Sequence, residues 1–161
     1  MTESNEARLR AAVASFNDPD QRERYLDLYD EDVTLHGYPG GLAGKAGARR
    51  FYSQLWAAFP DARLTIEEAI ELGDQLAARY TLAGEQASEF FGAPSAARRA
   101  EFAGIAWLRF RDGRAVEVWQ AAGSLDTLTR LTARAAQSRT RPSASAEAAA
   151  LRWEERHFDD G

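Results

Sequence analysis

The chain contains no cysteine. Disulfides, thiolate metal sites and cysteine nucleophiles are therefore excluded. Histidine is nearly as scarce. His36 and His157 are the only two, and their wide separation argues against a histidine-rich metal site. No metal and no organic cofactor are expected. Basic charge is also short: 20 lysines and arginines face 25 acids, for a net charge of −5 and a pI near 5.1. That balance argues against nucleic acid or an anionic membrane as partner, since both need a concentrated basic surface. Lysine itself is almost missing, with Lys45 the single example. No apolar run approaches membrane-spanning length. Met1-Thr2-Glu3-Ser4-Asn5-Glu6 has neither the cationic start nor the apolar stretch of a secretory signal. A cytoplasmic location is the resulting expectation.

What is present is ordinary core material. At 161 residues with a hydrophobic share of 45%, the chain can bury one substantial core. Helical spacing comes first, with Leu9, Val13 and Phe16 on one face behind Ser4 as N-cap. Asp18-Pro19-Asp20 breaks the run and opens a second short helix whose apolar face is Tyr25, Leu28 and Tyr29. Val33 to His36 reads as a strand, and the glycines from Gly37 to Gly44 as a loop. A third helix carries Phe51, Leu55 and Phe59, with Tyr52 and Trp56 beside them, and stops at Pro60.

From Ala62 the period changes to two. Leu64, Ile66, Ile70 and Leu72 alternate with polar residues, as in a half-buried strand. Gly73-Asp74 is a turn, Leu76 to Ala83 the next strand, and Glu85 to Arg98 a loop. Glu101 to Arg111 and Arg114 to Ala122 flank Asp112-Gly113, the strongest hairpin signal in the chain. Ser124 reads as the N-cap of a short helix with Leu128 and Leu131. Three helices followed by an antiparallel meander define an α+β domain over residues 1–134. Residues 135–161 read as a linker, rich in Ser, Ala and Arg, and a possible C-terminal helix or tail.

Several short pieces carry a family resemblance. They are Tyr29 with Glu31-Asp32-Val33 and His36, Phe59-Pro60-Asp61, Gly73-Asp74 with Arg79, Gly84, Phe90-Phe91-Gly92-Ala93-Pro94, Gly104-Ile105, Asp112-Gly113 and Val116-Glu117-Val118-Trp119. In this order and spacing, over about residues 22–132, the chain resembles the SnoaL-like polyketide cyclases on the nuclear transport factor 2-like fold. The resemblance implies a cone whose curved antiparallel sheet packs against three N-terminal helices around one apolar cavity. It implies a homodimer through the open sheet face and a small hydrophobic or aromatic metabolite as partner. It also implies cofactor-independent tailoring chemistry, with cyclisation of a polyketide-type intermediate first. A non-catalytic binding or self-resistance protein for an aromatic metabolite, and a hydroxylase or epoxide opener on the same scaffold, stay open.

The departures from the family pattern matter equally. Gln86 stands where the family usually has histidine. Pro94-Ser95-Ala96-Ala97-Arg98 replaces its usual loop. Gly123 occupies the position of the catalytic aspartate, and the next acid is Asp126. An uninterrupted two-residue hairpin pairs Phe110 with Ala115, Leu108 with Glu117 and Ala106 with Trp119. Alternation then puts Glu117, Trp119, Ala121 and Gly123 on the face of the family's aspartate, toward the cavity, with Ala106 and Leu108 opposite.

The candidate catalytic residues are His36, Glu117 and Gln86. His36 suits acid–base work if it ends its strand at the pocket mouth, and is otherwise a solvated strand-end residue. Glu117 is a general base if burial raises its pKa, and otherwise a rim carboxylate paired with Arg109 or Arg111. Gln86 can orient a carbonyl but cannot shuttle protons. Candidate substrate contacts are Trp119, Tyr38, Tyr52, Trp56, Phe90, Ala106, Leu108, Ala121 and Gly123. Trp119 either stacks on a planar substrate or fills core. Arg79 either holds an anionic oxygen or pairs with Glu67, Glu68 or Glu71.

Overall fold

Caps at both ends explain where the first helix begins and stops. Helix α1 (Asn5–Phe16) starts at Ser4, whose Oγ accepts from the amide of Ala7 at 3.1 Å. The Glu71 carboxylate accepts from the amides of Asn5 and Glu6, both at 3.0 Å, and places a negative charge at the helix N-terminus. Leu9, Ala12, Val13 and Phe16 form the buried face. Just past the end, the Asn17 side chain donates to the Leu64 carbonyl and accepts from the Leu64 amide, each at 2.8 Å. One amide side chain thus satisfies a stretch of an edge strand.

The computed structural model describes residues 2–92, 94–95 and 99–124. The expected short helix after Ser124, and the linker and terminal helix or tail of residues 135–161, lie outside the described residues.

The second helical segment is a 3-10 helix (Arg22–Leu28) that buries Tyr25, Leu26 and Leu28. It is shorter than its apolar spacing suggests, because Tyr29 has already turned to extended geometry and opens β1 (Tyr29–His36). Helix α2 (Gly44–Ala58) buries Phe51, Tyr52, Leu55 and Trp56. The Phe59-Pro60-Asp61 motif then makes the corner into the sheet. Phe59 is buried, and Asp61 Oδ1 accepts from the Glu85 amide at 2.8 Å.

Four antiparallel strands follow: β2 (Arg63–Leu72), β3 (Gln75–Glu85), β4 (Arg99–Arg111) and β5 (Arg114–Ser124). The sheet order is β1-β5-β4-β3-β2. The expected meander holds for β2 to β5, but β1 lies parallel beside β5. The sheet is therefore mixed, curved and unclosed. Parallel neighbours need a long crossover, and here that crossover is most of the domain, which no local periodicity can reveal.

Two bulges change which residues face inward. In β2, Glu67 is the extra residue between Ile66 and Glu68. Leu64 and Ile66 face the helices as expected, but Ile70 and Leu72 are carried to the other face, at 64% and 79% exposure. In β5, Val116 is the extra residue. Phe110 pairs with Ala115 as expected, but Arg109 then pairs with Glu117, Leu108 with Val118 and Trp107 with Trp119. The pairings Leu108–Glu117 and Ala106–Trp119 do not form. A bulge inserts one residue on one strand, and with a side-chain period of two everything beyond it changes face.

Candidate functional site

One cavity of about 130 Å³ lies between the helices and the concave face of the sheet. It is comparable with the engineered cavity of about 150 Å³ that takes up benzene. Buried Phe16, Tyr25, Tyr29, Leu108 and Val118 close one end. Ala122 is exposed, and Leu82, Phe90 and Phe102 are half-buried, so the cavity opens there. No charged side chain belongs to the lining among the described residues.

Tyr38, Tyr52, Phe90, Ala106 and Leu108 line this cavity, as the sequence suggests. Trp56 does not. It stands behind Tyr52 in the core, with ring centroids 5.9 Å apart and the Arg22 guanidinium over its indole. Trp119, Ala121 and Gly123 do not line it either, because the bulge at Val116 turns them to the convex face. Val118, Gln120 and Ala122 take the inward positions instead.

The three catalytic candidates also lie outside the cavity lining. His36 pairs in register with Trp119, and Thr34 with Glu117, so these side chains share the convex face. His36 Nε2 lies 3.0 Å from Glu117 Oε1, and its ring stacks on Trp119 at 4.8 Å and 9°. Arg109 reaches Glu117 Oε2 at 3.4 Å and lies over the Trp119 ring. Glu117 is thus the carboxylate partner of Arg109, one of the two expected arginines. Arg79 pairs with Glu68 at 3.8 Å on the same face. Gln86 sits beyond the end of β3, where its amide donates to the Ser88 carbonyl.

The polar content of the cavity is phenolic apart from the Gln120 amide. All five tyrosines of the chain line it. The hydroxyls of Tyr25, Tyr29 and Tyr52 form a triangle with edges of 3.2, 3.3 and 3.0 Å. Tyr38 joins at Tyr52, 3.3 Å away. Across the cavity, the Tyr80 hydroxyl makes a long contact of 3.5 Å to Gln120 Oε1. Tyr80 lies over Gly104, where a β-carbon would stand 2.6 Å from its hydroxyl oxygen. Burial pushes the pKa of Tyr25, Tyr29, Tyr38 and Tyr52 upward, and that of Tyr80 to about 12.

Tyr25, Tyr29, Tyr80 and Gln120 were not among the site candidates. The i, i+4 spacing of Tyr25 and Tyr29 reads equally as a helix face. Gln120 was legible only as a polar residue inside an otherwise apolar run.

Similar structures share this architecture. A SnoaL-like polyketide cyclase from Agrobacterium tumefaciens is 22% identical, with a TM-score of 0.67 over 81% of this chain and 99% of that one. TsrD from Streptomyces laurentii is 24% identical, with a TM-score of 0.69 over 81% and 96%. IdmH from Streptomyces antibioticus, a candidate polyketide cyclase, is 25% identical, with a TM-score of 0.65 over 81% and 99%. No curated protein matches the sequence. The fold is that of the nuclear transport factor 2-like α+β proteins. Within it, the chain belongs to the SnoaL-like polyketide cyclase family, whose model matches residues 7–131.

Proposed function

We propose that this protein closes a ring in a polyketide-type intermediate without a cofactor, by holding the substrate folded inside its cavity. The observation that carries this is a cavity lined by apolar and phenolic groups and the Gln120 amide, with no carboxylate or imidazole among the described lining residues. Tyrosines whose pKa is pushed above 10 cannot act as bases near neutral pH. Positioning then has to supply most of the rate. Orientation alone can lower a barrier by up to roughly 7–11 kcal/mol in ideal cases. The enclosed volume suits about one ring, so the reacting end of the substrate sits inside and the remainder leaves past Phe90 and Ala122. Family membership supports cyclisation as the reaction.

The test is product formation from a linear or partly cyclised polyketide-type substrate, read by mass spectrometry and NMR. The expected product has one more ring, with unchanged mass or loss of water. Ala106→Phe, which fills the cavity opposite Ala78, should abolish turnover. His36→Ala, Glu117→Gln and Gln86→Ala should stay within about tenfold of the parent, below the hundredfold that one acid–base residue contributes. Binding without conversion above the buffer rate would overturn the reading. So would incorporation of oxygen.

The same proposal includes a homodimer formed through the convex sheet face. Ile70, Leu72, Ile105 and Trp107 are all exposed there. A contiguous apolar face of this kind favours burial against a second copy.

A further inference from the structure

We propose that the tyrosine cluster is a receptor for one uncharged carbonyl oxygen of the ligand, with Tyr38 as the hydroxyl that donates to it. The inference deepens the cavity reading above and rests on it.

Five tyrosines from five different segments converge on one cavity whose other aromatic lining residues are phenylalanines. A wall built only for packing could use phenylalanine throughout, since a buried hydroxyl costs free energy unless it is bonded. Among the described residues these four hydroxyls are bonded only to one another, and Tyr38, the least buried of the four and bonded to Tyr52 alone, ends the cluster.

Each hydroxyl carries one proton and two lone pairs. With the cavity empty of ligand, Tyr25, Tyr29 and Tyr52 can donate around their triangle, and Tyr38 donates into it at Tyr52. An acceptor in the cavity permits a second arrangement over three of these four contacts, with the Tyr25–Tyr52 bond exchanged for one to the ligand. Tyr25 donates to Tyr29 (3.2 Å), Tyr29 to Tyr52 (3.0 Å), Tyr52 to Tyr38 (3.3 Å), and Tyr38 to the ligand. Every proton is then used, and each hydroxyl behind Tyr38 strengthens the next as a donor. The switch needs hydroxyl rotation only.

The chemistry of the wall selects the acceptor. With no cation in the described lining, a carboxylate would be desolvated without compensation. Phenols held in their protonated form donate and do not abstract. A ketone, aldehyde or ester carbonyl fits both conditions, and donation to it would stabilise negative charge developing on its oxygen.

Acetophenone and α-methylstyrene have nearly the same shape and differ by oxygen against CH2, so the pair isolates the hydrogen bond. Benzoate adds the charge. Protein NMR titration should show acetophenone binding at least about tenfold tighter than α-methylstyrene, and benzoate weaker than acetophenone. The acetophenone carbonyl stretch should move to lower frequency when bound. Tyr38→Phe should bring acetophenone within about twofold of α-methylstyrene and abolish the shift, while α-methylstyrene affinity stays unchanged. Tyr25→Phe, at the far end of the chain of hydroxyls, should reduce the shift without abolishing it. Equal binding of the two neutral probes to the parent protein, or a preference that survives in Tyr38→Phe, would overturn the assignment. Tighter binding of benzoate would also overturn it. Binding of neither neutral probe would overturn the cavity reading itself, and this proposal with it.

Discussion

The five tyrosines lose water for a place on the cavity wall, and their raised pKa values make that burial visible in pH dependence. In the unfolded chain they would titrate near 10. In the folded protein they hold their protons to higher pH. Between those limits the folded state binds more protons than the unfolded state, so stability falls as pH rises. Stability should therefore be insensitive to these groups below pH 10, and decline from pH 10 upward through about 12, the value for Tyr80. Absorbance near 295 nm should report little phenolate before unfolding, then all five tyrosines together. Ordinary titration of several tyrosines at pH 10 in folded protein would contradict the burial. His36 and Glu117 make the opposite case. Their side chains are 42% and 27% exposed, and a pair at that exposure contributes at most about 1 kcal/mol. His36→Ala should change the unfolding free energy by no more than about that, measured by urea titration.

At the scale of elements, the junction of β1 and β5 depends on a glycine. Gly37 has φ +79°, and a β-carbon there would fall 1.9 Å from the Gln120 carbonyl oxygen. The turn out of β1 thus passes directly over the cavity-facing stretch of β5 and delivers Tyr38 to the wall. Gly37→Ala is expected to cost at least about 1–3 kcal/mol through backbone strain alone. It should also weaken binding of a cavity probe by displacing Tyr38. Chemical denaturation and probe titration measure the two effects, and an unchanged midpoint would show that the chain relaxes freely here. The bulges at Glu67 and Val116 act at the same scale. Deleting Val116 would remove the bulge while keeping Arg109 opposite Glu117 and Trp107 opposite Trp119, so both side chains should stay on the convex face. A retained cooperative thermal transition is the expected outcome, and its loss would show that the bulge itself is needed for the fold.

At the scale of the molecule, the two faces of the sheet divide the work. The concave face makes the cavity and most of the core. The convex face carries exposed apolar side chains between two ion-pair groups, Arg79–Glu68 and Arg109–Glu117–His36. For the dimer proposed above, Trp107→Glu would place a charge amid Ile105 and Ile70 and should yield a monomer by light scattering. The cavity probe should still bind. A parent protein that is already monomeric at micromolar concentration would remove the dimer from consideration.

Much of this molecule follows from local physics and is legible in the sequence. Ser4 caps α1, Pro60 ends the approach to the sheet, Asp112-Gly113 turns with both φ angles positive, and the switch from period 3.6 to period 2 at Ala62 separates helices from strands. The family's motif order named the fold. The placement of site residues was not legible, because it depends on counts that alternation cannot supply. One extra residue at Val116 exchanged Glu117, Trp119, Ala121 and Gly123 for Val118, Gln120 and Ala122. Pairing of β1 with β5 brought His36 to Glu117 across 81 positions of chain. Convergence of five segments made a phenolic wall from tyrosines that the sequence scatters over helices, a loop and a strand. Composition and spacing determine which elements form, since those are decided by neighbours along the chain. Which side chains meet at the site was decided by bulges and strand order, which exist only once distant segments pair.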